Sequence, residues 1–243
     1  MAAVLLLPAN ASAQPCVAGK LRVAVDIGHS KTRPGATSAT GKAEHDFNTR
    51  FAEELVALSQ GWPDLELFLL TGAKLSLAER PRQAAERGAG LFLSIHHDSV
   101  SPKYIQHWEH AGRGRAYSDA FKGYSLFVSE DGAHASASIA AASMIAKGLR
   151  QSGFTPTLHH AELIPGEGRK LLDRELGVYA APFAVLRLAT MPAVLFEVGV
   201  IVNREEERAL EDAKVRGRMQ LQLLGALRAF CAPRVAGKTG DAP

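Results

Sequence analysis

The sequence predicts an α/β fold: a single domain with a mostly parallel central sheet flanked by helices. Two patterns predict this class. Short apolar runs rich in β-branched residues alternate with longer segments of helical periodicity, and no internal repeat or linker divides the 243 residues. In addition, 47% hydrophobic residues in a chain of this length supply a core that needs no structural metal or cross-link.

The first predicted strand is Leu21–Asp26, a short β-branched run that is closed by Ile27 and Gly28. Residues 30–43 are rich in Gly, Ser, Thr and Pro, which indicates a loop. A helix is predicted from Glu44 because large apolar residues then recur at helical spacing until Gly61-Trp62-Pro63 ends the pattern. These apolar residues are Phe47, Phe51, Leu55 and Leu58.

The middle of the chain shows the same alternation of predicted strands and helices. Leu65–Leu70 is predicted as the second strand, and Ser76 as the cap of a helix that runs to Gly88. Leu91–Ile95 is the third strand and ends in His96-His97-Asp98. Residues 100–120 show no periodicity, so we predict a long polar loop before a fourth strand at Tyr124–Val128.

The last third begins with an Ala-rich helix at Ser136–Gln151. Residues 155–180 mix Gly, Pro and charges, and predict no single element. Two more apolar runs, Phe183–Arg187 and Val194–Val198, are predicted strands. Residues 205–230 have helical periodicity, with a possible break near Gly217.

The termini differ from this folded region. The apolar stretch before Ala11-Ser12-Ala13 resembles a truncated secretory leader over residues 1–13, so we expect export to the periplasm or the cell exterior. The predicted domain covers residues 14–231, and residues 232–243 are predicted as a flexible tail. The two cysteines, Cys16 and Cys231, flank the domain. They form either a disulfide or two unrelated buried thiols.

Composition excludes several classes of partner. The formal net charge is only +3 and the basic residues are scattered, so we expect no nucleic acid partner. No apolar run is long enough to span a bilayer, so we expect no stable membrane insertion.

Residues typical of a metal site fall at the predicted strand ends. His29 follows the first strand, His96 the third, and Glu197 ends the last, while Glu44 opens the helix after the first loop. The carboxyl ends of parallel strands meet at one edge of a sheet. Two imidazoles and one carboxylate leave an open position on zinc for water, and another carboxylate can take a proton. By spacing alone, structural histidines and a helix-start glutamate explain the pattern equally well.

Three segments decide between these interpretations because they resemble the zinc-dependent N-acetylmuramoyl-L-alanine amidases of the amidase-3 family. VAVDIGHSKTRPGATSATGKAEHDFN resembles the family's opening, with a Glu fifteen residues after the first His. LAERPRQAAERGAGLFLSIHHDS resembles the helix and strand that carry the second His, and VLRLATMPAVLFEVGVIVNREEE resembles the stretch with the catalytic Glu.

The resemblance implies one Zn²⁺ held by His29, Glu44 and His96, with Glu197 as the catalytic residue. It implies hydrolysis of the amide bond between N-acetylmuramic acid and L-alanine in peptidoglycan. Two alternatives remain: an inactive cell-wall binding or regulatory module of the same fold, and another zinc hydrolase such as a peptidase or a deacetylase. Some family members carry a helix that covers the zinc until a protein partner withdraws it. Glu162 or Glu167 could act in that way here.

The departures from the family pattern leave the ligands in place. Ile27 replaces a Pro, Ser30-Lys31 replace a Gly pair, Asp98 replaces an Asn and Val200 replaces an aromatic residue. They affect the expected loop shape and substrate preference more than the chemistry.

Two other segments that contain histidines have simpler interpretations than a metal site. His160-Ala161-Glu162 lacks the following P-C-x-x-C that a zinc deaminase needs. His107-Trp108-Glu109-His110 lacks the spacing of a zinc protease helix and is predicted as polar loop.

Near the proposed ligands, His97 is predicted to be a neighbour rather than a ligand. Asp98 is expected to hydrogen-bond either a ligand histidine or the substrate. Arg80 is expected to stabilise helix–sheet packing through a structural ion pair.

Overall fold

The computed structural model describes residues 16–17, 19–70 and 76–231. The predicted leader (1–13) and the predicted tail (232–243) both lie outside the described residues. Among the helices of the described part, none is long and apolar enough to cross a membrane.

Ten strands and six helices form the described part of the chain. The strands are β1 (Cys16–Val17), β2 (Lys20–Ile27), β3 (Leu65–Leu69), β4 (Leu91–Asp98), β5 (Gln106–His110), β6 (Arg113–Tyr117), β7 (Ser125–Val128), β8 (Lys170–Asp173), β9 (Val178–Ala180) and β10 (Ala193–Val200). The helices are α1 (Glu44–Ser59), α2 (Glu79–Glu86), α3 (Ala135–Gln151), α4 (Ala184–Arg187), α5 (Arg204–Glu211) and α6 (Ala213–Cys231).

The central sheet has eight strands and is mixed but mostly parallel, which confirms the predicted fold class. Its strand order is β3-β2-β4-β10-β7-β9-β8, and β1 pairs with the start of β2. The four pairs β2/β3, β2/β4, β4/β10 and β7/β9 are parallel. As a result, β2, β4 and β10 are adjacent and end at the same edge of the sheet.

Helices cover both faces of this sheet, as predicted. Alternation along β2 sends Leu21, Val23 and Val25 into the larger cluster, which also contains residues of α1, α3 and α6. Ala24 belongs to the cluster on the opposite side, together with Ala84 of α2 and residues of α4. The sheet therefore lies between two apolar layers, and its strand ends are left for polar residues.

The predicted cap of α2 is present. The Glu79 amide donates to Ser76 Oγ at 3.2 Å, and Glu79 Oε2 accepts from the Ser76 amide at 2.8 Å. This reciprocal pair is a capping box, which satisfies two amides at the start of the helix. The helix ends at Glu86, two residues before the predicted Gly88.

Residues 100–120 were wrongly predicted as a loop, since they contain the β5–β6 hairpin and a 3₁₀ turn at Pro102–Tyr104. Among the described strands these two pair only with each other, and their polar residues carry no apolar alternation. The turn residues Ala111 and Gly112 both have positive φ, 49° and 71°. Positive φ at both central residues is typical of the two-residue turns whose twist matches that of the flanking β-strands.

Three further predictions need correction. Phe183–Arg187 is not a strand but contains α4, because a short apolar run does not distinguish one buried helical turn from a strand. The break in the last helix lies at Asp212, whose backbone is extended, and not at Gly217, which stays inside α6. The third strand runs on to Asp98, so His96 lies within it. Residues 155–180, which predicted no element, contain β8 and β9.

Cys16 and Cys231 form a disulfide with a Cα–Cα distance of 5.7 Å. The bond joins the first described strand to the end of the last helix. This resolves the alternative that the sequence left open.

Candidate metal centre

His29, Glu44 and His96 meet at the carboxyl edge of β2 and β4. His29 Nε2 lies 3.0 Å from Glu44 Oε2, and His96 Nδ1 lies 3.0 Å from Glu44 Oε1. One ligand atom from each residue lies within 4.8 Å of the others, so the three could hold a metal ion. Donor atoms on a tetrahedral ion with bonds of about 2.0–2.1 Å lie roughly 3.3 Å apart. The spacing thus fits one such ion with little movement.

Two glycines make room for these three side chains. A Cβ on Gly28 would lie 2.5 Å from His96 Nε2, and one on Gly35 would lie 2.2 Å from Glu44 Oε2. His29 itself has a φ of 65°, which is uncommon for a residue with a side chain. The backbone here is shaped around the donor atoms, and the donor set of two imidazoles and one carboxylate suits zinc.

Glu44 is held in place by residues of its own helix and of the loop before it. Its Oε1 accepts from Asn48 Nδ2 at 3.1 Å and from the His97 amide at 3.3 Å, and its Oε2 accepts from the Ala36 amide at 2.9 Å. Burial raises the pKa of Glu44, but hydrogen bonds from His29 and His96 outweigh it, so the pKa lies well below its usual range. The carboxylate is therefore ionised and oriented.

His97 is a neighbour and not a member of this cluster, as predicted. It is 1% exposed and packs against Phe47 and Phe51, while its Nδ1 lies 2.8 Å from Asn48 Oδ1. Burial lowers the pKa of His97 to about 3, so the ring is neutral. Its contact fixes the Asn48 amide, which in turn donates to Glu44. Reasoning from sequence missed Asn48, which lies one helical turn after Glu44 and faces the same way.

Arg80 stabilises the strand that leads to His29. Its guanidinium donates to Asp26 Oδ1 at 2.9 Å and to the carbonyls of Ile27 and His29 at 2.8 and 2.6 Å. Ser94 Oγ donates to the other Asp26 oxygen at 2.7 Å. The expected structural ion pair is present, and it also holds the backbone of a metal-site residue.

Glu197 lies beside His96, because the two residues are paired across β10 and β4. The residue is partly buried, and its Oε2 is shielded from solvent without a hydrogen-bond partner in the described part of the chain. Burial, followed by the Asp98 and Glu44 carboxylates, raises the pKa of Glu197 well above its usual value. The cluster therefore has next to it a carboxyl group with one buried oxygen that no described residue hydrogen-bonds.

Asp98 hydrogen-bonds neither His29 nor His96. Its Oδ2 lies 2.7 Å from His160 Nε2, and its Oδ1 accepts from the Ser99 amide at 2.7 Å. Of the two acids considered as a cover for the site, Glu167 lies 2.9 Å from His160 Nδ1 and Glu162 accepts from Tyr104. Neither acid belongs to the cluster of His29, Glu44 and His96.

The Asn-x-x-Glu after β10 shapes the loop there. Asn203 Oδ1 accepts from the amides of Glu205 and Glu206, both at 3.0 Å, and so caps α5. Glu206 accepts from the amides of Val200 and Gly123 at 2.8 Å. Burial raises the pKa of Glu206 to about 7; the two amides and Lys122 oppose the rise, and Asp98 adds to it.

Known proteins resemble this chain along most of its length. The sequence profile of the Amidase_3 family, described as N-acetylmuramoyl-L-alanine amidase, matches residues 23–229. The N-acetylmuramoyl-L-alanine amidase AmiC of Escherichia coli O6:H1 (strain CFT073) is 25% identical over 249 residues. The alignment covers 93% of this chain and 57% of AmiC, so the chain spans little more than half the length of that relative.

Solved structures share the fold. The catalytic domain of CwlV, an N-acetylmuramoyl-L-alanine amidase from Bacillus (Paenibacillus) polymyxa var. colistinus, has a TM-score of 0.65 and 27% identity, with 86% of this chain and 97% of CwlV covered. AmiC2 of Nostoc punctiforme has a TM-score of 0.63 and 21% identity, covering 86% and 96%, and at that identity shows the fold alone. By its sequence and its fold, the chain belongs to the Amidase_3 family of N-acetylmuramoyl-L-alanine amidases.

Proposed function

We propose that this chain is a zinc-dependent hydrolase of the amide bond between N-acetylmuramic acid and L-alanine in bacterial peptidoglycan. One observation carries the proposal. His29, Glu44 and His96 present three donor atoms within 4.8 Å of one another, and Glu197 lies beside them with an oxygen that has no partner among the described residues.

His29, Glu44 and His96 would hold one Zn²⁺. When bound, the ion supplies Lewis-acid polarisation of the scissile carbonyl and makes water a stronger acid. The chain itself supplies the orientation of the donors. Asn48 and the Ala36 amide hold the two Glu44 oxygens, and Arg80 holds the His29 backbone.

Glu197 is the general base and then the general acid. The attacking water gives a proton to Glu197 as its oxygen bonds to the lactyl carbonyl carbon. The carbon–nitrogen bond then breaks, and Glu197 returns the proton to the nitrogen of L-alanine. A free lactyl carboxylate and a stem peptide with a free amino terminus result. The shielded, unpartnered Oε2 suits this role because no structural hydrogen bond has to break first.

An open groove of about 1120 Å³ supports binding of a large substrate. Trp108 of the hairpin and three acidic residues line it, together with six basic residues: Lys42, Arg113, Arg115, Lys122, Arg204 and Arg208. The excess of positive charge favours a ligand with carboxylates, such as a peptide. Lys42, at the edge of this groove, precedes Glu44 by two residues in the sequence.

Mass spectrometry of the fragments released from purified peptidoglycan tests the reaction. We expect stem peptides that begin with L-alanine, and Glu197→Ala should lower their release by ~10²- to 10⁴-fold while zinc stays bound. Glu175→Gln, which changes an exposed carboxylate in the turn between β8 and β9, is the matched control and should keep full activity. Release by Glu197→Ala at the control rate contradicts the role of Glu197.

The same experiment separates the alternatives. Fragments cut within the peptide identify a peptidase, and released acetate identifies a deacetylase. Tight binding to peptidoglycan without any fragment identifies an inactive cell-wall module. The three metal donors and the unpartnered Glu197 Oε2 favour a hydrolase over an inactive module, and the family match favours the amidase among the hydrolases.

Export to an oxidising compartment is part of the proposal, and the Cys16–Cys231 disulfide supports it. Alkylation of intact cells should label neither cysteine until a reductant is added. Labelling of both without a reductant contradicts export. A protein partner that regulates the enzyme remains a prediction from the resemblance.

A further inference from the structure

A second cluster of metal-binding residue types lies next to the proposed zinc site. Asp98 ends β4, two residues after His96, and a 3₁₀ turn at His159–Ala161 places two adjacent histidines against it. His160 Nε2 lies 2.7 Å from Asp98 Oδ2, and His159 Nε2 lies 3.4 Å from the same oxygen. One donor atom of each residue lies within 4.8 Å of the others.

Both imidazole rings are also oriented by a hydrogen bond at Nδ1, the nitrogen that does not face Asp98. His159 Nδ1 lies 2.8 Å from Thr157 Oγ1, and His160 Nδ1 lies 2.9 Å from Glu167 Oε2. A hydrogen bond to one ring nitrogen fixes which nitrogen offers its lone pair, and metal-binding histidines almost always have such a partner. Here the two bonds turn both Nε2 atoms towards Asp98.

One atom of the cluster lacks a partner. His159 is 2% exposed, and its Nε2 has no hydrogen-bond partner within the described residues. In the tautomer with its proton on Nδ1, His159 donates to Thr157 Oγ1 and presents the Nε2 lone pair to the Asp98 carboxylate. In that tautomer a buried lone pair faces an anionic oxygen with no proton between them, and a cation between the two atoms would satisfy both.

We propose that Asp98, His159 and His160 hold a second divalent metal ion, with Zn²⁺ as the best-fitting ion. The donor set, two imidazoles and one carboxylate, is the same as in the cluster of His29, Glu44 and His96. Residues 155–180 thus contribute ligands to a second site and not a cover for the first. The inference does not depend on the proposed reaction, since it concerns only how many ions the chain binds.

Residues of the two sites lie near each other on adjacent strands of the sheet. Asp98 and His96 lie two residues apart on β4, and Glu197 is paired with His96 on the adjacent strand. The Asp98 and Glu44 carboxylates both act on the Glu197 carboxyl. A cation at the second site would therefore oppose the effect of the Asp98 carboxylate on Glu197.

Metal counting tests the proposal without an activity assay. The full chain is stripped with a chelator, titrated with Zn²⁺ or Co²⁺, and analysed for bound metal by mass spectrometry and for Co²⁺ absorption. We expect two ions per chain for the unchanged protein, one for His159→Gln and one for Glu44→Gln. His107→Gln, which removes an exposed imidazole of the hairpin, is the matched control and should bind two.

The outcomes separate the two sites. If the unchanged protein binds one ion that Glu44→Gln abolishes and His159→Gln retains, the second site is wrong. If Glu44→Gln retains an ion that His159→Gln abolishes, the second site holds and the first fails. Should His159→Gln not fold, as judged by circular dichroism, anomalous diffraction from zinc-soaked crystals of the unchanged protein decides. A peak among Asp98, His159 and His160 supports the proposal, and its absence beside a peak at His29 overturns it.

Discussion

Gly35 offers a sharp test of how the backbone shapes the metal centre. Its φ is 79°, and a Cβ there would lie 2.2 Å from Glu44 Oε2 and 2.6 Å from His29 Cδ2. Gly153, at the end of α3, has a similar φ of 86°, but a Cβ there would meet no atom within 4 Å. The pair Gly35→Ala and Gly153→Ala therefore separates backbone strain from displacement of the ligands.

Both variants bear the same backbone penalty. A side chain in the left-handed region costs about 1–2 kcal/mol, so the free energy of unfolding should fall by at least that amount in each. Only Gly35→Ala also has to move a ligand. An ordinary contact begins at 3.4 Å, so relief of the 2.2 Å contact needs a shift of about 1.2 Å between Glu44 and residue 35. Misplacing a supporting group of a metal site lowers affinity by roughly 10- to 100-fold.

Competition with a chromophoric chelator measures the affinity for Zn²⁺, and urea unfolding of the metal-free proteins measures stability. We expect Gly153→Ala to bind zinc like the unchanged protein and Gly35→Ala to bind it about 10- to 100-fold more weakly, about 1.4–2.7 kcal/mol. Equal zinc affinities in the two alanine variants would refute the argument that Gly35 exists to make room for the ligands.

Three further predictions concern stability. Arg80→Met should lower the free energy of unfolding in urea by about 3–5 kcal/mol because it leaves a buried carboxylate unpaired, and adding Asp26→Asn should recover most of the loss. Glu206 has a pKa raised from 4.5 to about 7, so the folded chain binds more protons there and stability falls as pH rises through that window. The free energy of unfolding of Glu206→Gln minus that of the unchanged protein should therefore rise by about 3 kcal/mol between pH 4.5 and 8. A difference that does not change with pH would contradict the burial effect. Replacing Cys16 and Cys231 by serine should cost about 2–5 kcal/mol, and a reductant should then have no further effect on thermal unfolding.

The meeting of the candidate residues was predictable from strand topology, whereas their interpretation as metal ligands came from the family resemblance. Parallel strands bring their carboxyl ends to one edge, so His29, His96 and Glu197 could be placed together from the strand pattern alone. The contacts that hold these side chains in place were harder to predict from the sequence. Asn48 was predictable in principle, since it lies one turn after Glu44 on a helix that the sequence predicts correctly.

The errors lie where local sequence carries no hydrophobic period. The strands of the β5–β6 hairpin pair with each other, and their polar sequence resembles a loop. The run at 183–187 is the opposite case: it is apolar as far as Leu186, and its packing against the sheet accompanies a helical turn at Ala184–Arg187. In the second case a tertiary contact decides the conformation, whereas in the first the pairing is local but has no apolar pattern to mark it.

The second histidine cluster shows why spacing rules fail for sites assembled from distant segments. His159 and His160 are adjacent, and adjacent side chains on an extended or helical segment diverge. A 3₁₀ turn makes both Nε2 atoms converge on Asp98, which lies about sixty residues earlier in the chain. The signal that was present in the sequence is the replacement of the family's Asn by Asp98. Asp98 supplies a carboxylate, which is one of the usual zinc ligands, where the family has an amide. The departure from the family pattern and the histidine pair are therefore parts of one arrangement.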